Sequence, residues 1–220
     1  MQIPFKVPRF YPILDTTALS ERECSVALAA EALLEIGIRI LQYRHKTAWK
    51  QLHFDEAQHI AGLCEQAGVL FVLNDRADFA HVMGAALHIG QDDLPPVAAR
   101  RVISDEVIGY STHNRQQLLC ANEEPVEYVS IGPIFSTKSK ERPDPELSVE
   151  GLRSLRPLTQ KPLVAIGGID LLNAGDVLDA GADSVAVISG LLPETCDRKA
   201  LRRRGEEWIR VVASQTRATV

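Results

Sequence analysis

The sequence predicts an α/β fold, a single compact (β/α)8 TIM barrel, on three observations. Apolar runs of strand length alternate with helical patterns along the chain. Most of these runs lack polar alternation, as do strands that are buried on both faces of a parallel sheet. Polar residues follow many of the runs, which is typical of chemistry at the carboxyl ends of barrel strands. We therefore expect one domain over residues 1–220, with its core at about residues 10–213 and right-handed crossovers.

The predicted strands share apolar character and end at polar or glycine residues. They are Phe10–Leu14, Ile38–Tyr43, Val69–Leu73, Ala86–Ile89, Val107–Ser111, Tyr128–Ile131, Leu163–Ile166 and Val185–Ile188. Helical patterns lie between them and after the last one: Leu19–Ile36, Phe54–Ala67, Leu94–Val102, Arg115–Ala121, Val149–Leu155, Ala174–Ala180 and Arg198–Ala213. The connection between strands three and four, Asp75–Ala85, is so short that we expect a single turn or a short helix. An open doubly wound sheet is the alternative, but Asp15-Thr16-Thr17 after the first strand offers no glycine-rich turn.

Composition excludes several classes of protein. The net charge of −5 gives no overall basic field for nucleic acid. No apolar run approaches the roughly 20 residues that cross a bilayer, and the first residues lack the layout of a secretory signal. The four cysteines form no CxxC pair, so we expect reduced thiols and no structural zinc. We expect a cytoplasmic protein without nucleic-acid or membrane partners, and the sequence leaves open whether it forms a homo-oligomer.

The most polar strand end is the segment Gln42-Tyr43-Arg44-His45-Lys46. Alternation along the strand places Gln42 and Arg44, followed by Lys46, on one face, and Tyr43 and His45 on the other. We expect the first face to line the mouth of the barrel, where a guanidinium fork and an ammonium group suit phosphate oxygens. A structural ion pair with a neighbouring helix is the alternative for these cations.

Carboxylates follow two neighbouring predicted strands. Asn74-Asp75 ends the third strand, and Asp93 lies just past the fourth. Adjacent strand ends of a barrel are close, so Asp75 and Asp93 could share one Mg²⁺ ion, with waters and substrate oxygens completing its coordination. The alternative is that these carboxylates cap the following helices, which is the role we expect for Asp92.

Two further regions suit anions. Gly132–Lys140 follows the sixth strand with hydroxyl groups, backbone N–H groups and lysines, and continues into a polar loop expected over the site. Gly167-Gly168 and Ile188-Ser189-Gly190 follow the seventh and eighth strands, where many β/α barrels bind a phosphate through main-chain N–H groups. Tight turns are the alternative for these glycines. Two anion sites in one barrel mouth suggest two phosphorylated substrates.

Two histidines lie near this predicted mouth. His88 falls within a strand, and we expect a hydrogen-bonded core residue there in preference to an acid–base group. His113 lies two residues past Ser111 and has no evident proton to transfer.

Together these segments resemble the thiamine-phosphate synthase family over roughly residues 10–190. The resemblance implies contacts to a pyrimidine diphosphate from Gln42, Tyr43, Arg44, His45, Lys46, Asn74, Ser111 and Lys140. It implies contacts to thiazole phosphate from Thr137, Lys138, Ser139, Gly168, Ile188 and Ser189. The same resemblance implies Mg²⁺ as cofactor on Asp75 and Asp93, and catalytic roles for Arg44, Lys46 and Lys140.

The reaction that the resemblance implies joins hydroxymethylpyrimidine diphosphate to thiazole phosphate, with loss of pyrophosphate. Carbon–oxygen cleavage would proceed through a carbocation that the pyrimidine stabilises. A thiazole tautomerase-like barrel is one alternative, but it would not need Asp75, Asp93 and Lys140 together. A non-catalytic, ligand-sensing relative is another, and it is expected to have lost its metal ligands.

Overall fold

The computed structural model describes residues 5–136 and 144–214, and these residues form a closed parallel barrel. Its strands follow one another around the barrel in chain order, and β8 pairs with β1 to close the sheet. The strands are β1 (Phe10–Asp15), β2 (Ile40–Arg44), β3 (Leu70–Asn74), β4 (Ala86–Ile89), β5 (Ile108–Thr112), β6 (Tyr128–Ile131), β7 (Leu163–Ile166) and β8 (Ser184–Val187). The predicted fold class and all eight predicted strands are confirmed, with shifts of one or two residues at some ends.

Helices follow the strands and pack around the barrel. In the described residues they are α1 (Thr16–Ser20), α2 (Val26–Glu35), α3 (Gln51–Ala67), α4 (Ala77–Met83), α5 (Pro96–Val102), α6 (Arg115–Ala121), α7 (Ser148–Leu155), α8 (Ala174–Asp179) and α9 (Arg198–Ser214). The short connection between β3 and β4 contains α4, a helix of seven residues, as expected. No helix among these residues is long and apolar enough to cross a membrane.

The single helix predicted over Leu19–Ile36 is wrong, because the chain forms two helices there. Asp15 accepts a hydrogen bond from the Ala18 N–H and caps α1, and Ser25 caps α2 by accepting from the Leu28 N–H. Glu23 between them has a φ of 51°, a backbone conformation that interrupts a right-handed helix. Ser25 is therefore the start of a new helix and not an interior position.

The side chains on the two faces of each strand pack into two different apolar cores. Outward side chains such as Leu41 and Tyr43 join a large apolar layer between sheet and helices. Inward side chains form a smaller cluster in the barrel interior, made up of Val7, Tyr11, Ile13, Ile40, Val72, Ala86, Tyr128, Val164 and Ala186. Polar inward side chains continue this cluster toward the carboxyl ends of the strands, so the barrel is apolar at depth and polar at its mouth.

Gly109 makes room for the largest interior side chain. It pairs with Tyr128 across the β5–β6 ladder, and both residues are buried. A Cβ atom at Gly109 would lie 2.0 Å from Cζ of Tyr128 and 2.4 Å from its hydroxyl oxygen. Since no real Cβ atom approaches a ring this closely, the Tyr128 ring depends on glycine at this position.

We expect Gly109→Ala to destabilise the protein by about 1–3 kcal/mol, because the added methyl group must displace a buried ring. Chemical denaturation measures this change. Gly62→Ala in α3 is the matched control, since a Cβ there meets nothing within 4 Å, and alanine should stabilise the helix by about 0.5–1 kcal/mol. Equal effects of the two substitutions would contradict the packing argument.

Candidate active site

The predicted alternation of the second strand is confirmed. Ile40 lies in the interior cluster, while Leu41 and Tyr43 lie in the outer layer. Gln42 and Arg44 have the inward parity of Ile40, and they pair in register with Ile13 and Asp15 of β1. Gln42 and Arg44 therefore face the interior near the carboxyl end of the barrel.

Arg44 forms a salt bridge with Asp15, the last residue of β1. Both side chains are largely buried, with 14% and 7% exposure. The alternative of an ion pair with a neighbouring helix is therefore wrong for Arg44. Its partner lies on the adjacent strand and faces the same mouth of the barrel. Asp15 is a site residue that the sequence analysis did not select.

Tyr43 and His45 lie on the other face of the segment. The Tyr43 hydroxyl donates to Glu56 of α3 at 2.8 Å. The His45 ring nitrogens hydrogen bond with the hydroxyl groups of Thr16 and Thr47 at 2.8 and 2.9 Å. The structure therefore does not bring Tyr43 or His45 together with the inward-facing residues.

Asp75 and Asp93 form an acidic pair at the ends of β3 and β4. The two carboxyl groups lie close enough to shift each other's pKa. Lys46 donates to Oδ2 of Asp75 at 2.6 Å, and the Gly90 N–H donates to Oδ2 of Asp93 at 2.7 Å. A left-handed backbone at Asp75, with a φ of 64°, turns the chain out of the strand at this point.

The electrostatics of this pair are asymmetric. Burial raises the pKa of Asp75 from its ordinary value of 3.8 to about 6, reinforced by Asp93 and opposed by Lys46. Burial acts in the same direction on Asp93, but hydrogen bonds from Asp75 and the Gly90 N–H outweigh it, so the pKa of Asp93 is lowered. Two close carboxylates favour sharing a proton or a cation, because their charges otherwise repel.

Helix capping does not explain these aspartates. The residue before α4 is Arg76 and the residue before α5 is Pro95, and neither helix has a side-chain cap. The capping role expected for Asp92 is therefore wrong, since α5 begins later and has Pro96 in its first turn. In the described residues no group of three or more His, Cys, Asp or Glu side chains could hold a metal ion. A divalent ion at Asp75 and Asp93 would need oxygen ligands from substrate and water, which is how Mg²⁺ is commonly held.

Asn74 and Ser111 complete the inward polar surface. Nδ2 of Asn74 is buried and has no hydrogen-bond partner in the part of the chain that the structure describes. Such a buried donor is costly unless a ligand satisfies it. Ser111 on β5 accepts or donates at 2.9 Å with His88, and its carbonyl oxygen accepts from Gln91.

Both histidines are hydrogen bonded within the fold. His88 is buried, with Nδ1 on the Tyr128 hydroxyl and Nε2 on Ser111, so the expectation of a hydrogen-bonded core residue is confirmed. His113 donates from Nδ1 to the Gly132 carbonyl oxygen at 2.7 Å, and Asp144 lies 3.5 Å from the same nitrogen. His113 thus holds the segment that follows β6.

The loops after β6 and β7 are fastened to each other. The Ile134 and Phe135 N–H groups donate to the carbonyl oxygens of Ile166 and Gly167 at 2.9 and 3.0 Å. Gly168 has a φ of 64°, and a Cβ atom there would lie 2.5 Å from the Ser136 carbonyl oxygen. Only glycine fits this close approach, so Gly168 makes a tight turn, as the alternative interpretation expected.

The eighth strand ends nearby. Ile188 precedes a 3-10 turn over Ser189–Leu191, and the Ser189 side chain is exposed. The indole of Trp208 in α9 donates to the Gly190 carbonyl oxygen at 3.0 Å and fixes this turn from behind. The remaining predicted anion contacts, Thr137, Lys138, Ser139 and Lys140, lie outside the described residues.

Sequence reasoning missed Asp15, Tyr11, Tyr128 and Ser130. Asp15 had a usable signal, because it is a polar residue at a strand end like the residues that were selected. Tyr11 and Tyr128 lie at the amino-terminal half of their strands and had no such signal. Their contact depends on closure of the barrel across 117 residues of chain.

Comparison with known proteins agrees with this geometry. The family model for thiamine monophosphate synthase matches residues 10–191. The chain belongs to this family. The thiamine-phosphate synthase of Koribacter versatilis is 42% identical, and the alignment covers 95% of this chain and 98% of that protein. The thiamine-phosphate synthase of Chloroflexus aurantiacus is 38% identical, and the alignment covers 84% of this chain and 85% of that protein.

The family's fold is also shared. The structure of thiamine phosphate pyrophosphorylase from Pyrococcus furiosus superposes with a TM-score of 0.80, at 28% identity over 94% of this chain and 96% of that one. Membership of the thiamine monophosphate synthase family confirms the resemblance derived from the sequence motifs.

The raised pKa of Asp75 leads to a prediction about the stability of the folded protein. The folded-state pKa of Asp75 is raised, so the folded protein keeps a proton that the unfolded chain loses between about pH 4 and pH 6. Above pH 6 the buried carboxylate opposes folding. We expect Asp75→Asn to raise the free energy of unfolding by about 1–2 kcal/mol at pH 8, with the gain shrinking as the pH falls from 6 to 4. Urea denaturation across this pH range measures the effect.

Asp78→Asn in α4 is the control for this experiment. The hydrogen bond from Arg76 lowers the pKa of Asp78, so its carboxylate contributes stability above the unfolded-state pKa that is lost as the pH falls. The substitution should therefore slightly destabilise the protein at pH 8. The same sign for both variants would contradict the electrostatic account of Asp75.

Proposed function

We propose that the protein condenses 4-amino-2-methyl-5-(diphosphooxymethyl)pyrimidine with thiazole phosphate, giving thiamine phosphate and pyrophosphate. Family membership over residues 10–191 supports the enzyme class. The observation that carries the proposal is the convergence at one rim of two carboxylates, two cations and the buried Nδ2 of Asn74, which has no hydrogen-bond partner among the described residues. These are the groups that a metal-bound diphosphate next to an aromatic ring requires.

The cations would bind the leaving group. Arg44 and Lys46 are held in the free protein by Asp15 and Asp75. A diphosphate carries more charge than either carboxylate, so it can compete for both cations, and Lys46 is already 43% exposed. Together with Lys140, these side chains would stabilise the negative charge that develops on pyrophosphate as the carbon–oxygen bond breaks. Substitution is at carbon, through a carbocation that the pyrimidine stabilises, so no phosphoryl group is transferred.

We propose Mg²⁺ as the cofactor, with Asp75 and Asp93 as its protein ligands. The donor set fits, because a hard divalent ion prefers carboxylate oxygens and would relieve the repulsion between the two carboxylates. When bound, Mg²⁺ would neutralise charge on the diphosphate. Asn74 and Ser111 would orient the pyrimidine diphosphate, in keeping with the unpartnered Nδ2 of Asn74.

Thiazole phosphate would occupy the opposite side of the mouth. Gly168 and Ser189 lie on the loops after β7 and β8, where backbone N–H groups can cradle a phosphate. Ile188 and the segment Thr137-Lys138-Ser139 would complete the contacts. The two anion sites would hold the ring nitrogen of the thiazole close to the reacting carbon, and this proximity supplies much of the catalysis.

The proposal is tested by mixing both substrates with Mg²⁺ and looking for thiamine phosphate. Titration with pyrophosphate, with and without Mg²⁺, distinguishes the alternatives. The synthase should show strong mutual dependence of the two ligands, whereas a tautomerase-like barrel or a sensor should not. The presence of Asp75 and Asp93 as a close pair favours the synthase over both the tautomerase-like barrel and the sensor. Absence of product at saturating substrates would refute the proposal.

We expect Asp93→Asn to weaken Mg²⁺ binding by about 100-fold or more, since substituting even a residue that only hydrogen bonds to a metal ligand costs about 10–100-fold. Isothermal titration with Mg²⁺ and pyrophosphate measures the affinity. Asp92→Asn is the matched control, because the neighbouring side chain is exposed and is not a proposed ligand. Full activity of Asp93→Asn at low Mg²⁺ would remove Asp93 from the metal site.

We expect Ser189→Asp to act on thiazole phosphate alone. A carboxylate at this turn repels the phosphate and competes for its N–H donors, so the KM for thiazole phosphate should rise by about tenfold or more. Steady-state kinetics with each substrate varied separately measures this. Ser189→Ala keeps the backbone donors and should have a smaller effect. A comparable rise for the pyrimidine diphosphate would contradict the two-site arrangement.

A further inference from the structure

A continuous chain of hydrogen bonds crosses the barrel interior beneath the mouth. Nε2 of Gln42 donates to the Tyr11 hydroxyl at 2.8 Å, and the Tyr11 and Tyr128 hydroxyl oxygens are 2.9 Å apart. The Tyr128 hydroxyl is 2.9 Å from Nδ1 of His88, and Nε2 of His88 is 2.9 Å from Oγ of Ser111. We call Tyr11, Tyr128 and His88 the relay. Its three members are buried, and it links strands β1, β6 and β4.

The relay transmits hydrogen-bond direction from one end to the other. A phenol has one hydrogen, so Tyr11, which accepts from Gln42, donates to Tyr128, and Tyr128 in turn donates to Nδ1 of His88. An imidazole that accepts a hydrogen bond at Nδ1 has its lone pair there, so the His88 ring is neutral and carries one hydrogen. That hydrogen lies on Nε2 and is donated to Ser111.

Gln42 and Ser111, which flank the relay, consequently present opposite hydrogen-bonding groups to a ligand, an acceptor and a donor. Gln42 uses its N–H group internally and presents its amide oxygen as an acceptor. Ser111 accepts from His88 and has its own hydroxyl hydrogen free to donate, either to Ser130 at 3.2 Å or to a ligand. Turning the Gln42 amide so that its oxygen faces Tyr11 requires reversing every bond from Tyr11 to Ser111.

A bond chain in a low-dielectric interior polarises as a unit. The direction that Gln42 sets by donating to Tyr11 therefore extends through Tyr128 to His88.

We propose that Tyr11, Tyr128 and His88 are positioning residues that couple Gln42 to Ser111, so that the two ends select a 4-aminopyrimidine over a 4-oxopyrimidine. This inference rests on the proposed function. A 4-aminopyrimidine offers an N–H donor beside a ring-nitrogen acceptor, which complements an amide oxygen and a hydroxyl hydrogen. A 4-oxopyrimidine offers a carbonyl oxygen beside a ring N–H. Ser111 can accept the ring N–H by turning its own hydrogen to Ser130, but the carbonyl oxygen meets the Gln42 oxygen unless the whole chain reverses.

Cutting the relay at either tyrosine tests the coupling. The quantity measured is the ratio of kcat/KM for the 4-amino substrate to kcat/KM for its 4-oxo analogue. We expect Tyr11→Phe and Tyr128→Phe each to lower this ratio on the order of tenfold, because the freed end can then turn independently. The double variant should show no further loss, since one cut already uncouples the ends. Additive losses, or an unchanged ratio, would overturn the proposal.

Tyr110→Phe is the matched control. Tyr110 precedes Ser111 on β5, is half-buried and packs against the outer layer, so its variant should keep the wild-type ratio. A lower ratio of kcat/KM values in this variant would show that removing any phenol near Ser111 reduces the selectivity. That result would overturn the assignment to the relay. Thermal unfolding of each variant verifies that it is folded.

A spectroscopic measurement on the wild-type protein is independent of activity and of variant folding. Nitrogen-15 NMR at neutral pH should show His88 as the neutral Nε2–H tautomer. An Nδ1–H tautomer or a protonated ring would overturn the direction inferred here. If wild type forms no thiamine phosphate, the proposed function fails while the tautomer still tests the relay. If the wild type forms product and the Tyr11→Phe and Tyr128→Phe variants keep its ratio of kcat/KM values, only the inference about the relay fails.

Discussion

Closure of the sheet between β1 and β8 is the constraint on which the rest of the molecule depends. It brings all eight strands into one parallel barrel, so their carboxyl ends share a single rim. Tyr11 on the first strand can then meet Tyr128 on the sixth across the interior. In an open sheet the two tyrosines would lie on distant strands, and no polar chain could cross beneath the mouth.

The mouth of the barrel is an arrangement of charges that are paired in the free protein and are suited to exchange partners. Arg44 and Lys46 each form a salt bridge with a carboxylate, Asp15 and Asp75 respectively. This pairing limits the penalty of placing like charges close together in a partly buried site. Under the proposed function, a metal ion would bind the two aspartates Asp75 and Asp93, and the diphosphate would bind the two cations.

The fold and the location of the site could be predicted from sequence because both follow from local patterns. Continuous apolar runs specified buried parallel strands, and polar residues at their ends specified the rim. Period-two alternation separated Gln42 and Arg44 from Tyr43, and the structure confirms that separation. Prediction failed where a capping residue broke a periodic pattern, as at Ser25, and where a later helix start removed a capping role, as at Asp92.

The sequence by itself determined the order of strands and helices, the inward face of the second strand and the family to which the chain belongs. Only the tertiary structure decided which side chains meet: Asp15 with Arg44, Lys46 with Asp75, and His88 with both Tyr128 and Ser111. The physical reason is that periodicity along a strand specifies a direction, whereas a contact also depends on register and barrel closure. Those depend on all eight strands together, and so does the depth at which Tyr128 fills the space left by Gly109.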